Sequence, residues 1–353
     1  MERTANLNLV HWRNEAGKAR IGSRAFAGML VVCALGSALL ASWIPLQFSI
    51  VTVFLFAGPH NWFELRYFLT RLPVRFGRSR TFFLTAFAGI GLLTIAYLAL
   101  PLLYYANVWS GANWPSAIAT WNTLLLLWLA TLVWLRNRQK KNPKWALAWP
   151  LSFAFIGFNW LGPELFSLAI VYAHPLVALW FLDRHLRRTR PDLLRIYHRG
   201  LLLVPVLMGI IFWKMIGTAP LPDDNGLAWR ITQHAGAELL PNVSTHLLVS
   251  MHVFLEMLHY AVWLLALPLI AASSRKQTNT NRQRTFWSAS AIPLARHPRG
   301  FPRLVMAVLA AGIFVVLLLW LGFSVDYAAT RDIYFAVAIA HVLAEAPFLM
   351  RML

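Results

Sequence analysis

Apolar residues run along this chain in stretches of about 20, broken by short polar connections. At 1.5 Å rise per residue each stretch matches the hydrocarbon thickness of a bilayer. The pattern predicts helices over residues 25–45, 48–70, 81–105, 116–135, 145–161, 163–182, 200–217, 243–272, 303–323 and 332–351. The fold class that follows is all-α, a polytopic integral membrane helical bundle of about ten transmembrane helices. The first run is too long for a signal-peptide core and lacks a convincing cleavage site, so it reads as a retained helix.

Charge fixes an orientation for that bundle. The formal net charge of +19 suggests a nucleic-acid ligand until the positions are considered, because Lys and Arg fall in clusters between apolar stretches and not along one face. The basic N-terminus and the connections 71–80, 136–144, 184–199 and 275–303 belong on the cytoplasmic side. The connections 43–47, 107–116, 159–163, 217–242 and 324–331 are nearly free of Lys and Arg and belong outside. Both termini are then cytoplasmic, every even-numbered helix runs inward, and a bacterial inner membrane is the expected location. No soluble domain fits between the apolar runs. Residues 1–353 therefore form one transmembrane domain, with a basic tail at 1–24, an outward loop at 218–242 and a basic cytoplasmic loop at 273–302. A hydrophobic content of 59% excludes an ordinary soluble protein, and no nucleic-acid partner is expected.

Within these apolar stretches a histidine is followed four residues later by a glutamate three times: His60 with Glu64, His252 with Glu256, and His341 with Glu345. Ionisable groups at membrane depth are costly and read as functional by default. A residue at i+4 lies one turn along and about 40° round the helix, on the same face as its histidine. His60, His174, His252 and His341 stand about 12, 11, 9 and 9 residues into the second, sixth, eighth and tenth predicted helices, roughly 14 to 18 Å below the outer face.

That layout is expected of a buried metal site with His60, His174, His252 and His341 as ligands and His259 in reserve. Glu64, Glu256 and Glu345 would orient the imidazoles. His246 is a weaker rival near the end of its helix. Cys33 is the only cysteine, so a thiolate site and an internal disulfide are both excluded. Other polar residues have structural readings. Glu164 complements the start of its helix, and Asp183 and His185 reach the arginine-rich edge. His11, His198, His234 and His297 sit in tails or connections and are expected to face solvent or headgroups. Tryptophans near helix ends, Trp109, Trp114, Trp121, Trp145 and Trp149 among them, fit interfacial belts. The segment 223–240 is mildly helical in pattern and either lies on the membrane or caps the bundle.

At Gly58, Pro59 and His60, followed by Asn61 and Glu64, the chain resembles the Brp/Blh family of membrane β-carotene 15,15'-dioxygenases. Further histidines at mid-depth on separate helices extend the likeness. The resemblance implies a multi-helix membrane protein that holds non-haem iron through histidines and cleaves a carotenoid with O₂. The family's Pro-His-Gly step reads Pro-His-Asn here. The expectation is a membrane-embedded, Fe²⁺-dependent oxygenase with O₂ as co-substrate and a lipid-soluble carotenoid, isoprenoid or other apolar lipid as substrate. Two alternatives remain open at this point: a proton- or ion-coupled transporter, and an electron-transfer protein that binds haem through paired histidines.

Overall fold

A computed structural model describes residues 21–106, 108, 111–140, 143–222, 226–273 and 289–353. The expected basic tail up to residue 20 with His11, Trp109, the acidic pair Asp223 and Asp224, and positions 274–288 of the basic loop lie outside the described residues.

The described chain is helical and contains no strand. Its helices are α1 Ser23–Trp43, α2 Pro45–Arg71, α3 Arg80–Tyr105, α4 Trp114–Gln139, α5 Ala148–Leu161, α6 Pro163–Thr189, α7 Pro191–Leu201, α8 Leu203–Met215, α9 Leu227–His234, α10 Thr245–Ala261, α11 Leu267–Ser273, α12 Pro293–Arg296, α13 Pro302–Val325 and α14 Tyr327–Met352. A π-helical turn, Val262–Ala266, joins α10 to α11. Among the described residues, eight helical segments are long and apolar enough to cross a membrane. Helix α2 is not among them, for it carries Gln47, Pro59, His60, Asn61, Glu64 and Arg66. The apolar helix at Trp145–Leu161 is too short to count with the eight.

Local chemistry explains the boundaries. Pro45, Pro163, Pro191 and Pro302 open their helices where a missing N–H costs nothing. The Asp326 carboxylate accepts the Ala329 N–H at 3.0 Å and caps α14. One expectation needs correction: the charged stretch 184–199 is not a connection. Helix α6 continues to Thr189, and α7 follows as an amphipathic helix that buries Leu193 and Tyr197 and exposes Arg195 and Arg199. Charge density hid a helical period there.

Helix α10 is the axis of the bundle, with 72% of its membrane-length window buried against 17–50% for the other seven. Helices α2, α10, α6 and α14 form a ring in which each packs on the next. The C-terminal ends of α2, α4, α6 and α14 gather at one end of the molecule. There Arg136 and Arg188 donate to the Met350 and Met352 carbonyls at 3.3 and 2.7 Å, and Arg351 donates to the Arg71 carbonyl at 3.1 Å. Cations thus satisfy the orphan carbonyls that a helix end leaves behind.

Polar contacts fasten the outer helices. Asn122 on α4 donates to Asn159 Oδ1 on α5 at 2.8 Å and to Ser167 Oγ on α6 at 3.0 Å, and Asn159 donates to the Ala119 carbonyl at 2.8 Å. In an apolar medium such bonds hold helices where hydrophobic burial gives no preference. Helices α3 and α4 meet through two indoles: Trp121 donates to the Leu93 carbonyl at 2.9 Å and Trp128 to the Thr85 carbonyl at 3.0 Å. Gly89 makes room for the second, since a Cβ there would occupy the space of the Trp128 ring. Gly91, two residues on, faces open space. Gly89→Ala is therefore expected to destabilise the protein by about 1–3 kcal/mol through overpacking. Gly91→Ala should be neutral or slightly stabilising. Thermal unfolding of detergent-purified protein compares the two.

Candidate metal centre

Each helix that supplies the centre is locally irregular next to its donor. Pro59 precedes His60 on α2, Pro175 follows His174 on α6, the π turn begins three residues after His259 on α10, and Pro347 lies two beyond Glu345 on α14. Proline removes a backbone bond and a π turn inserts a residue, so each lets a helix re-aim a side chain.

Four imidazoles meet at the centre of the α2–α10–α6–α14 ring. The His60 ring lies 5.3 Å from His259 and 5.3 Å from His341, centroid to centroid. His174 lies 4.7 Å from His259 and 5.3 Å from His341, and His259 lies 6.4 Å from His341. With metal–nitrogen bonds of about 2 Å and the size of the ring added, imidazoles around one ion have centroids roughly 5 to 6 Å apart. The observed spacing has that scale. Donor atoms of His60, Glu64, His259 and His341 lie within 4.8 Å of one another, as do those of His174, His259 and Glu345. Six side chains from four helices thus face one small volume, with His259 common to both groups.

The hydrogen bonds say which atoms are left for a ligand. His60 Nδ1 lies 2.9 Å from the Phe56 carbonyl, which can only accept, so Nδ1 carries the proton and Nε2 holds a free lone pair. A carbonyl partner of this kind fixes the tautomer and orientation of a metal-ligating histidine. Both oxygens of Glu64, both ring nitrogens of His259 and of His341, and Oε1 of Glu345 are buried without a well-formed hydrogen bond; the Pro175 and Ala338 carbonyls stand near His259 and His341, and the Trp263 indole near Glu345, in looser geometry. Glu345 Oε2 lies 3.1 Å from His174 Nδ1. A buried polar group left unsatisfied costs about 1–3 kcal/mol, and more when charged. So many together in one place are what a cation-binding cluster presents, and imidazoles beside carboxylates suit a divalent transition metal.

His60, His174, His341, Glu64 and Glu345 therefore come together as the spacing suggested, whereas His252 belongs to neither group and His259 stands in its place. The reason is where the helices start. His60, His259 and His341 stand 15, 14 and 14 residues beyond Pro45, Thr245 and Tyr327, but His252 stands only 7 beyond Thr245. The apolar runs open α2 and α14 too late, which makes His60 and His341 look shallower than they are and matches them to the wrong histidine of α10.

The glutamates also divide differently from their histidines. Glu345 sits beside His174 of another helix, and Glu256 orients no imidazole: its Oε1 accepts the Tyr260 hydroxyl at 2.7 Å. The Tyr260 ring in turn packs 4.5 Å from His60. His246 keeps a buried Nε2 without a partner but joins neither group. Glu164 opens α6 as expected, and Asp183 pairs with Arg187 and with His198 at 2.8 and 2.7 Å.

A cavity of about 510 Å³ adjoins the centre. Its inner end is lined by the four clustered histidines, its side by Leu100, Pro101, Ile118, Ile170 and Ile339 of α3, α4, α6 and α14, and its outer end by α9. That volume suits a small-molecule ligand. Helix α9 caps the bundle. Tyr172 donates to the Ala235 carbonyl at 3.0 Å, and Gly236 takes φ +97°, which a side chain would strain. His234, expected to face solvent or headgroups, is half-buried and turned inward instead, 5.1 Å from His252 and 4.2 Å from Phe335. Burial, Arg331 and His252 all push its pKa well below the usual imidazole range, so it is neutral near pH 7. Sequence reasoning passed over His234 and Arg331 because each lies in or beside a connection.

Comparison of the chain with protein-family models, curated proteins and solved structures finds no match.

The geometry gives a direct expectation for single variants. His259→Ala and His341→Ala each remove a donor from the centre and should cut bound metal to a tenth or less, on the order of the loss from a disrupted site. His252→Ala should leave metal content unchanged. Elemental analysis of purified variants tests this, and equal loss in His252→Ala and His259→Ala would show the geometry to be misread.

Proposed function

We propose that this protein is a membrane-embedded non-haem iron oxygenase acting on an apolar lipid, a carotenoid or other isoprenoid being the favoured class. The observation that supports it is the convergence of four imidazoles and two carboxylates, several of their polar atoms without a well-formed hydrogen bond, on the wall of an apolar cavity. His60, His174, His259 and His341 would hold Fe²⁺, with Glu64 and Glu345 within reach of the same ion. When bound, the iron supplies the activation of O₂, which side chains of this kind cannot provide alone.

The chain's own residues have other tasks. The Phe56 carbonyl holds the His60 ring in one tautomer. Glu64 and Glu345 balance the ion's charge in a medium where an unpaired cation is costly. The aliphatic wall from α3, α4, α6 and α14 takes up an extended apolar chain and excludes water. Entry is lateral from the bilayer. The ten-helix reading, with both termini on the cytoplasmic side of a bacterial inner membrane, belongs to the same proposal. It takes α2 and the helix at Trp145–Leu161 as spans, and it places the arginine-rich helix ends inside.

The spacing of the rings favours this reading over a haem protein. Bis-histidine haem needs two imidazoles on opposite faces of a clear plane that a porphyrin can fill. Here the remaining two imidazoles would occupy that plane.

Protein purified from iron-supplemented cells is expected to contain about one iron per chain, as six donors around one point imply, and no Soret band. Its addition to vesicles holding β-carotene should give O₂ uptake that His341→Ala abolishes. A Soret band would replace the proposal with the haem reading, and absence of any stoichiometric metal would favour the transporter. Iron without turnover of any carotenoid, isoprenoid or unsaturated chain would remove the oxygenase assignment while leaving the metal.

A further inference from the structure

His252 misses the metal cluster by two helical turns, about 10 Å, yet it lines the same cavity. Around it the outer end of the cavity is polar: Gln233, His234, His252 and Arg331 all line it. Arg331 is the unusual member. It is 3% exposed, one turn into α14, with its guanidinium 4.6 Å over the Phe335 ring. Its Nε is buried without a hydrogen-bond partner, and among the described residues its side chain makes one direct bond, a long one of 3.4 Å from Nη1 to the Arg230 carbonyl.

A guanidinium carries five N–H donors and stays charged, so one held in this way inside a protein is far from satisfied. The neighbouring carboxylates do not complete it. Asp332 pairs with Arg230, Glu256 accepts the Tyr260 hydroxyl through Oε1, and among the described residues no carboxylate lies within ion-pair distance of Arg331. Glu256 and Tyr327 act on it only at longer range. An unpaired buried charge that lines a ligand-sized cavity implies that the partner is the ligand.

We infer that the outer end of the cavity is a carboxylate-recognition subsite, with Arg331 as the two-pronged donor, so that the substrate is a long apolar chain ending in a carboxylate. A planar carboxylate matches the planar fork of arginine bidentately. A phosphate would bring about −1.5 to −2 charge against this one guanidinium, beside the carboxylate of Glu256 and two imidazoles of which His234 is neutral. The carboxylate brings a single charge.

The subsite also sets a distance. Arg331 and His341 are ten residues apart on α14, about 15 Å along its axis, so the group that reacts lies deep along the chain, far from the acid end. Such an amphiphile already lies in a bilayer with its head at the interface and its chain in the hydrocarbon. It would enter between helices without turning over. This inference rests on reading the cavity as a substrate site, and its test does not require metal, so the two readings fail separately.

Binding of palmitate, hexadecanol and hexadecyl phosphate to the full chain in neutral detergent is followed by isothermal titration, before and after treatment with a chelator. Palmitate is expected to bind about tenfold or more tighter than hexadecanol, a charge-assisted bidentate bond being the difference, with or without metal. Arg331→Gln should bring the two within about threefold, and Arg331→Lys, which keeps the charge but not the fork, should fall between. Equal binding of acid and alcohol overturns the subsite, as does a preference that survives Arg331→Gln. Tighter binding of the phosphate than of the acid overturns the carboxylate assignment. If Arg331→Gln does not fold, the wild-type comparison together with Arg331→Lys decides.

Discussion

The structure depends on one costly arrangement, the burial of imidazoles and carboxylates at the centre of a helical bundle where neighbouring polar groups satisfy only some of their atoms. His259 and His341 each hide two ring nitrogens without a well-formed hydrogen bond, and Glu64 hides two oxygens. Apolar side chains of similar shape would pack there at lower free energy. The arrangement is costly unless something binds these atoms, and the surrounding helices hold them in place: α10 on the bundle axis, and three prolines and a π turn beside the donors.

Much of this was legible in the sequence, because a bilayer leaves few solutions. Apolar runs of the right length located the long helices, and the clustering of arginines anticipated the helix ends that meet around Met350–Leu353. His60, His174, His341, Glu64 and Glu345 could be picked out because polar residues in apolar runs have so few ordinary uses. What was not legible is register. Depth counted from hydropathy is uncertain by a few residues at each helix start, since a helix can begin among residues that are not themselves apolar, as α14 does at Tyr327. An error of that size is one turn, enough to choose His252 over His259 on a helix where the two stand seven residues apart. The His-x-x-x-Glu repeat misled in the same way. Its three copies look alike in sequence, but Glu64 joins the cluster beside its own histidine, Glu345 meets a histidine of another helix, and Glu256 turns to Tyr260. The sequence left the segment around α9 between lying on the membrane and capping the bundle, because α9 is short and its burial comes from packing on α10, α2 and α14.

The cavity joins the two sets of polar groups into one account. Its inner end meets the donors, its walls are aliphatic, and its outer end holds a guanidinium short of partners. A molecule that satisfies both ends is long, mostly apolar and polar at one terminus. His252, which lies outside the donor cluster, thus has a place: it stands with His234 at the outer end, two turns from His259.

The most direct measurement of the central claim is X-ray absorption at the iron edge of the purified, iron-loaded protein. The account predicts a shell of nitrogen and oxygen donors at about 2.0–2.2 Å with the multiple-scattering signature of several imidazoles. That signature should weaken in His259→Ala and stay unchanged in His252→Ala. A shell of oxygen alone, or a spectrum indifferent to His259, would show that the imidazoles do not converge on the metal, and the account would be wrong.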